Sequence, residues 1–297
     1  VTLERRALLQ LEQVLTFPVR SLAVGRPRVA VLGDDPWWND GGSFKAIPLP
    51  QSMRARDGEQ EFVNVFFGRD DRLRIMGHRT DASNTKRPVY LRHLRTGWAR
   101  EKAEQARLAG APEAPLFGVL GHDDPEVLCK VGDACLIKRT TGWQTLTETV
   151  GWSRVAVARG GAWAYRDDAM FELTDGGFKA VDLPAGTRSL GGVWGVPGQL
   201  IVATDPSAGR ILRRANGAWL TEPSPVEAPL GIWGASPDSL WVVGESGAAF
   251  HDGQRWFLVE GLPRGLTHVL GSSNGDVWFA GKSGLWRGTR ASSAEPP

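Results

Sequence analysis

Four pairs of adjacent carboxylates, Asp34-Asp35, Asp70-Asp71, Asp123-Asp124 and Asp167-Asp168, have the most evident capacity for chemistry in this sequence. Clustered on one face they would offer oxygen ligands to a hard cation such as Ca²⁺. The pairs fall in different turns of a repeated unit, however, so they are not expected to converge. Aspartate also favours turns by bonding to its own backbone, and turn formation is the preferred reading. The five histidines, His78, His93, His122, His251 and His268, are scattered, and none has His-Glu-x-x-His or comparable spacing. A zinc site would need tertiary convergence. No glycine-rich phosphate loop precedes a helix, and no Gly-x-Ser-x-Gly elbow occurs. The sequence offers no nucleophile, no metal set and no cofactor motif. A non-catalytic protein without cofactor is expected.

Cys129 and Cys135 are the two cysteines. In a hairpin, an odd loop would set them opposite one another, within disulfide range, whereas an even loop would send them to opposite faces. The neighbouring repeats suggest an even, four-residue turn from Val131 to Ala134. The redox compartment stays open.

Basic residues gather in one stretch. Between residues 51 and 115 stand 13 Lys/Arg and nine Asp/Glu, a balance of +4 against +2 for the whole chain. Three long connections lie there, 51–61, 78–88 and 100–115, and residues 99–109 are rich enough in helix formers for a short surface helix. Loops of that length on a compact domain are more often functional than idle. The candidate partner-binding residues are Arg54, Arg56, Arg79, Lys86, Arg87, Arg100, Lys102 and Arg107, with Trp37 and Trp38. Adjacent strand residues face opposite ways, so one of the two tryptophans is a candidate for exposure near the long-loop face.

The elements that must position these residues follow from a repeat. The clearest copy runs from Leu230-Gly231-Ile232-Trp233-Gly234 through the turn Ser236-Pro237-Asp238 to Leu240-Trp241-Val242-Val243-Gly244, and closes with Asp252-Gly253-Gln254-Arg255-Trp256. It reads as four short strands joined by tight turns. Leu128 to Trp143, Trp163 to Phe178 and Trp241 to Trp256 are each 15 residues apart. Asp40-Gly41-Gly42-Ser43-Phe44-Lys45 repeats Asp175-Gly176-Gly177-Phe178-Lys179 with one residue inserted. A period of about 40 residues with four strands per unit is the signature of a β-propeller. The expectation is a seven-bladed β-propeller of four-stranded antiparallel blades. Tryptophans that recur at one repeat position argue for packing between blades, although exposed ones would stack on sugars.

The final unit stops at Trp286-Arg287 after three strands, and residues 8–15 align with Trp256-Phe257-Leu258-Val259. The N-terminal strand is therefore expected to complete the last blade, within a single domain over 1–290 followed by a disordered tail, 291–297. Leu3, Ala7, Leu8, Leu11 and Leu15 suit a helix as well. The missing initiating Met leaves a removed leader or a trimmed longer gene open.

The run Gly231 to Gly244 resembles the tryptophan-rich propeller repeats of bacterial proteins, and is more distantly similar to kelch and Asp-box propellers. The turns lack the Ser-x-Asp-x-Gly layout of an Asp box, which weakens a sialidase analogy. The resemblance implies a rigid platform for ligands or partners and carries over no catalytic residue. Fold alone does not give function.

Composition excludes some classes. A formal charge of +2 gives no reason to expect nucleic-acid binding. No apolar run approaches the roughly 18–20 residues that a membrane span needs, so no direct insertion is expected. The first six residues lack the layout of a signal peptide. A cell-envelope or secreted location is favoured over the cytoplasm. The expected function is a protein-binding scaffold, a subunit of a larger assembly, acting through the long-loop face of blades one to three. A glycan-binding propeller is the alternative, and a propeller-type hydrolase or lyase the third.

Overall fold

The computed structural model describes residues 3–25, 28–39, 42–49, 60–67, 72–80, 86–100, 116–119, 126–130, 135–139, 142–146, 154–158, 161–272 and 275–290. Its pattern is clearest in the sheet built from β23 (Gly231–Ser236), β24 (Ser239–Gly244), β25 (Gly247–His251) and β26 (Trp256–Val259). Ser236 pairs with Ser239 across Pro237-Asp238, and Gly244 pairs with Gly247 across Glu245-Ser246. Two-residue turns of this kind suit the natural twist of paired strands. The third turn is held by Asp252, whose Oδ1 accepts from the backbone N–H of Gln254 at 2.9 Å and of Arg255 at 3.0 Å. Those backbone donors hold its carboxyl below the usual carboxylate range.

Four consecutive strands build each of five further sheets in the same order along the chain. They are β3 (Ser21–Val24), β4 (Val29–Leu32), β5 (Pro36–Asn39) and β6 (Lys45–Ala46), then β7 (Gln60–Phe67), β8 (Leu73–Thr80), β9 (Lys86–Leu94) and β10 (Gly97–Arg100). Next come β11 (Leu116–Val119), β12 (Glu126–Lys130), β13 (Cys135–Arg139) and β14 (Gly142–Leu146). They are followed by β15 (Arg154–Ala158), β16 (Gly161–Arg166), β17 (Ala169–Thr174) and β18 (Gly177–Val181). A further four are β19 (Val193–Val196), β20 (Leu200–Asp205), β21 (Arg210–Ala215) and β22 (Ala218–Pro223).

The last three strands, β27 (Leu266–Gly271), β28 (Val277–Gly281) and β29 (Gly284–Arg290), take their fourth member from the other end of the chain. That strand is β2 (Leu9–Leu15), antiparallel to β29 with Leu9 opposite Arg290 and Gln13 opposite Trp286. Residues 9–15 are thus strand, not helix.

The expectation of seven four-stranded antiparallel blades is corrected. Among the described residues six four-stranded sheets stand where seven were expected, and the sheet β23 to β26 carries a fifth strand, β1 (Arg5–Arg6), in parallel register. Leu258 N–H donates to Glu4 O and Glu260 N–H to Arg6 O. The Arg6 and Arg255 guanidinium groups lie 4.0 and 4.7 Å from the centre of the buried Phe257 ring. Two charged residues make too short a run for any periodicity to reveal as a strand.

The chain divides into two compact units: Val1–Val19, Arg166–Met170 and Val181–Pro297 form one, and Arg20–Tyr165 with Phe171–Ala180 the other. The first unit shows why tryptophan and glycine recur together. A Cβ added at Gly234 would lie 2.8 Å from the Trp194 ring, and one at Gly271 2.0 Å from Trp233. The innermost tryptophan of one sheet therefore rests on the glycine at the matching position of the next. The outermost tryptophans make a second kind of tie. Trp219 Nε1–H donates to Asp182 O at 2.5 Å and Trp256 Nε1–H to Glu222 Oε1 at 3.2 Å. In this unit's core, Trp241 meets Phe250 and Phe279 at 4.7 and 5.6 Å between ring centres, with Leu8, Leu9 and Leu11 packed alongside. The second unit has its own core, in which Phe67, Leu73, Ile75, Val89, Leu91 and Trp98 are buried.

Candidate protein-interaction surface

The sheet β7 to β10 departs from the pattern just described. Its middle hairpin stays regular through the buried pairs Ile75–Leu91, Met76–Tyr90 and Gly77–Val89. It then continues for three more pairs, His78–Pro88, Arg79–Arg87 and Thr80–Lys86. The neighbouring β7 follows it outwards, with Glu61 opposite His78 and Gln60 opposite Arg79. The long connection expected over 78–88 is thus mostly strand. A ladder does not need apolar side chains once the core has set its register, so these polar residues carried no sequence signal of pairing.

Among its described residues the extension carries three basic positions, Arg79, Lys86 and Arg87, and one acidic position, Glu61. Arg79 and Arg87 stand directly opposite each other in the ladder. Like charges so placed are destabilising unless an anion lies beside them. Arg100 ends β10 opposite Leu91, on the same sheet. Arg54, Arg56, Lys102 and Arg107 lie outside the described residues, as does the helix expected over most of 99–109.

Trp37 and Trp38 are placed elsewhere. Trp38 pairs with Ala30 and Lys45, and Trp37 with Val31 and Ala46. Both are half-buried. Trp38 meets the His93 ring edge-on at 5.3 Å, and His93 in turn meets Trp98 at 5.0 Å, with Arg28 5.4 Å from Trp38. The cluster sits beside the β3–β4 and β9–β10 turns, the end of these sheets opposite the β8–β9 extension. One of the two tryptophans was expected near the long-loop face; β4 is only four residues long, and its register sets Trp38 towards the other end. Burial holds His93 below the usual histidine range. Sequence reasoning missed this cluster, because nothing in the residue spacing links 28, 38, 93 and 98.

The other titratable groups form no reactive set. His268 on β27 is pushed down by burial to about 4, and its Nδ1 lies 2.8 Å from Thr267 Oγ1. His251 is lowered chiefly by burial, and its Nδ1 accepts from Gly253 N–H at 3.1 Å. Asp34 and Asp35 sit in the β4–β5 turn, while Asp168 pairs with Arg166 at 2.9 Å in the β16–β17 turn. Asp70-Asp71 and Asp123-Asp124 lie outside the described residues. Among the described residues no group of three His, Cys, Asp or Glu side chains would hold a metal, and no helix is long and apolar enough to cross a membrane. The tryptophans whose side chains are described are buried or half-buried, and Leu220 is the exposed large apolar residue among the described ones.

Comparison with known proteins finds likeness in structure alone. No protein-family model and no curated protein matches the chain. A streptogramin B lyase structure matches with a TM-score of 0.70 at 12% identity, over 96% of this chain and all of its own. YCF48 bound to D1 peptide matches with a TM-score of 0.68 at 14% identity, over 98% of this chain and 100% of its own. The WD40 β-propeller domain of Doa1 matches with a TM-score of 0.64 at 12% identity, over 96% and 98%. The fold is a β-propeller. At such identities the likeness shows the fold alone, and the propellers concerned include a lyase as well as one bound to a peptide.

Proposed function

We propose that the chain, acting as one propeller domain over residues 1–290, is a non-catalytic scaffold that binds another protein through the β8–β9 extension. The observation that carries this reading is the opposition of Arg79 to Arg87, next to Lys86, in the ladder of the β8–β9 hairpin. A partner presenting carboxylates there would relieve the repulsion and form charge-assisted hydrogen bonds, the stronger kind. YCF48 in its complex with D1 peptide lends support as a propeller that takes a peptide. A glycan-binding reading draws less support from tryptophans that are buried or half-buried. A hydrolase or lyase reading has no acid–base constellation behind it among the described residues.

The test compares the wild-type chain with an Arg79→Glu/Lys86→Glu/Arg87→Glu variant in affinity purification from the native cell. The expected result is a partner captured by the wild type and lost, at least tenfold, by the variant. A partner retained equally by both would overturn the proposal.

A further inference from the structure

The register of the β12–β13 hairpin places Cys129 directly opposite Cys135. Five residues, Lys130 to Ala134, intervene, an odd number where an even turn was expected. The parity matters because a one-residue change in register exchanges the two faces of a strand. Directly opposed residues in an antiparallel ladder share a face. Their Cα atoms are about 4.5 Å apart at non-hydrogen-bonded positions and about 5.5 Å at hydrogen-bonded ones. Both separations fall within the roughly 4.4–6.8 Å over which a disulfide closes. The ladder runs without a break from Glu126–Lys138 through Leu128–Leu136 to this pair, its last before the turn. The outer neighbours continue the sheet on either side, Phe117 of β11 opposite Cys129 and Leu146 of β14 opposite Cys135.

We propose that Cys129 and Cys135 form an intramolecular cross-strand disulfide. The oxidant is a small-molecule disulfide such as oxidised glutathione. One cysteine thiolate attacks it and releases one reduced glutathione. The second thiolate then displaces the other from the mixed disulfide. Two thiols become one disulfide, two protons leave, and the two electrons reside on the two glutathione thiols. Exchange of this kind runs through the mixed disulfide at a rate set by thiolate content and access. In an oxidising compartment the bond persists; in a reducing one the hairpin carries two thiols.

The chain has no other cysteine, so the test reads out cleanly on the full-length protein. It is equilibrated with oxidised glutathione, denatured, alkylated with a maleimide and weighed by mass spectrometry. The expected result is a monomer two mass units lighter than the dithiol with no maleimide attached, and two maleimides after reduction. A Cys129→Ser variant should instead hold one glutathione. The proposal is overturned by two maleimides on the oxidised wild type, by two glutathiones held on one chain, or by a reductant-sensitive dimer.

Discussion

Two sheets of the same design use their middle hairpins differently. In β23 to β26 the hairpin stops where the core stops, at Gly244 opposite Gly247. In β7 to β10 it runs three residue pairs further, and those pairs are polar and mostly basic. Packing accounts for the first in full, because each large ring there has a neighbour and the tight turns waste no residue. Packing accounts for the second only as far as Gly77 and Val89. What lies beyond adds ladder hydrogen bonds but sets like charges face to face. Surplus structure that works against its own stability calls for an explanation outside the fold.

That contrast can be tested by separating stability from binding. The largest loss of stability should follow removal of residues 1–15, which strips β1 and β2 and uncovers Leu8, Leu9 and Leu11 against the core. With buried Leu15 lost as well, at about 1.5–3 kcal/mol for a fully buried leucine and less for the three half-buried ones, the loss should be on the order of 5 kcal/mol, read as aggregation or a collapsed urea midpoint. Trp241→Ala should cost about 3–5 kcal/mol, measured in the same way. Gly271→Ala should cost about 1–3 kcal/mol through overpacking against Trp233; an unchanged midpoint would contradict the stacking of tryptophan on glycine.

Acidification tests His268 in the same unit. Its imidazole stays neutral in the fold down to about 4, while the unfolded chain takes up a proton near the ordinary value of 6.5. Stability should therefore fall as pH drops from about 6.5 to about 4, by on the order of 1–3 kcal/mol. His251 and His93, both lowered by burial, add to the fall in the same direction. In His268→Gln the slope should flatten, as measured by urea titrations at several pH values. The smallest effect on stability belongs to the other sheet. The Arg79→Glu/Lys86→Glu/Arg87→Glu variant should move it by roughly 0.5 kcal/mol or less per site while abolishing partner capture. A stability loss as large as that of Gly271→Ala would place the extension inside the fold's own economy and sink the comparison.

The blades were legible because their signals are local. Trp241 and Trp256 sit a fixed distance apart since two turns and two short strands separate them, and Asp252-Gly253 names one of those turns outright. Other features depend on register, which a single sequence does not display. Whether Cys129 meets Cys135, and which end of its sheet Trp38 occupies, each turn on the placement of one or two residues. The β8–β9 extension hid for a different reason. Apolar alternation, the usual mark of a strand, ends with Val89, while the ladder runs on through polar positions. β1 was invisible because it is two arginines long and owes its place to Phe257 and to the backbone of β26.

The pairing of Leu9 with Arg290 also bears on how the chain is made. Synthesis proceeds at about 5–20 residues per second, so the segment that seals β29 emerges roughly 15–55 s before its mate. Over that interval Leu8, Leu9 and Leu11 travel exposed, and every other sheet can form from neighbours already released. The sheet is thus closed only when residues 9–15 are still at liberty to join residues 284–290, which makes this seam the step most open to interception by chaperones or by residues 9–15 of another nascent copy.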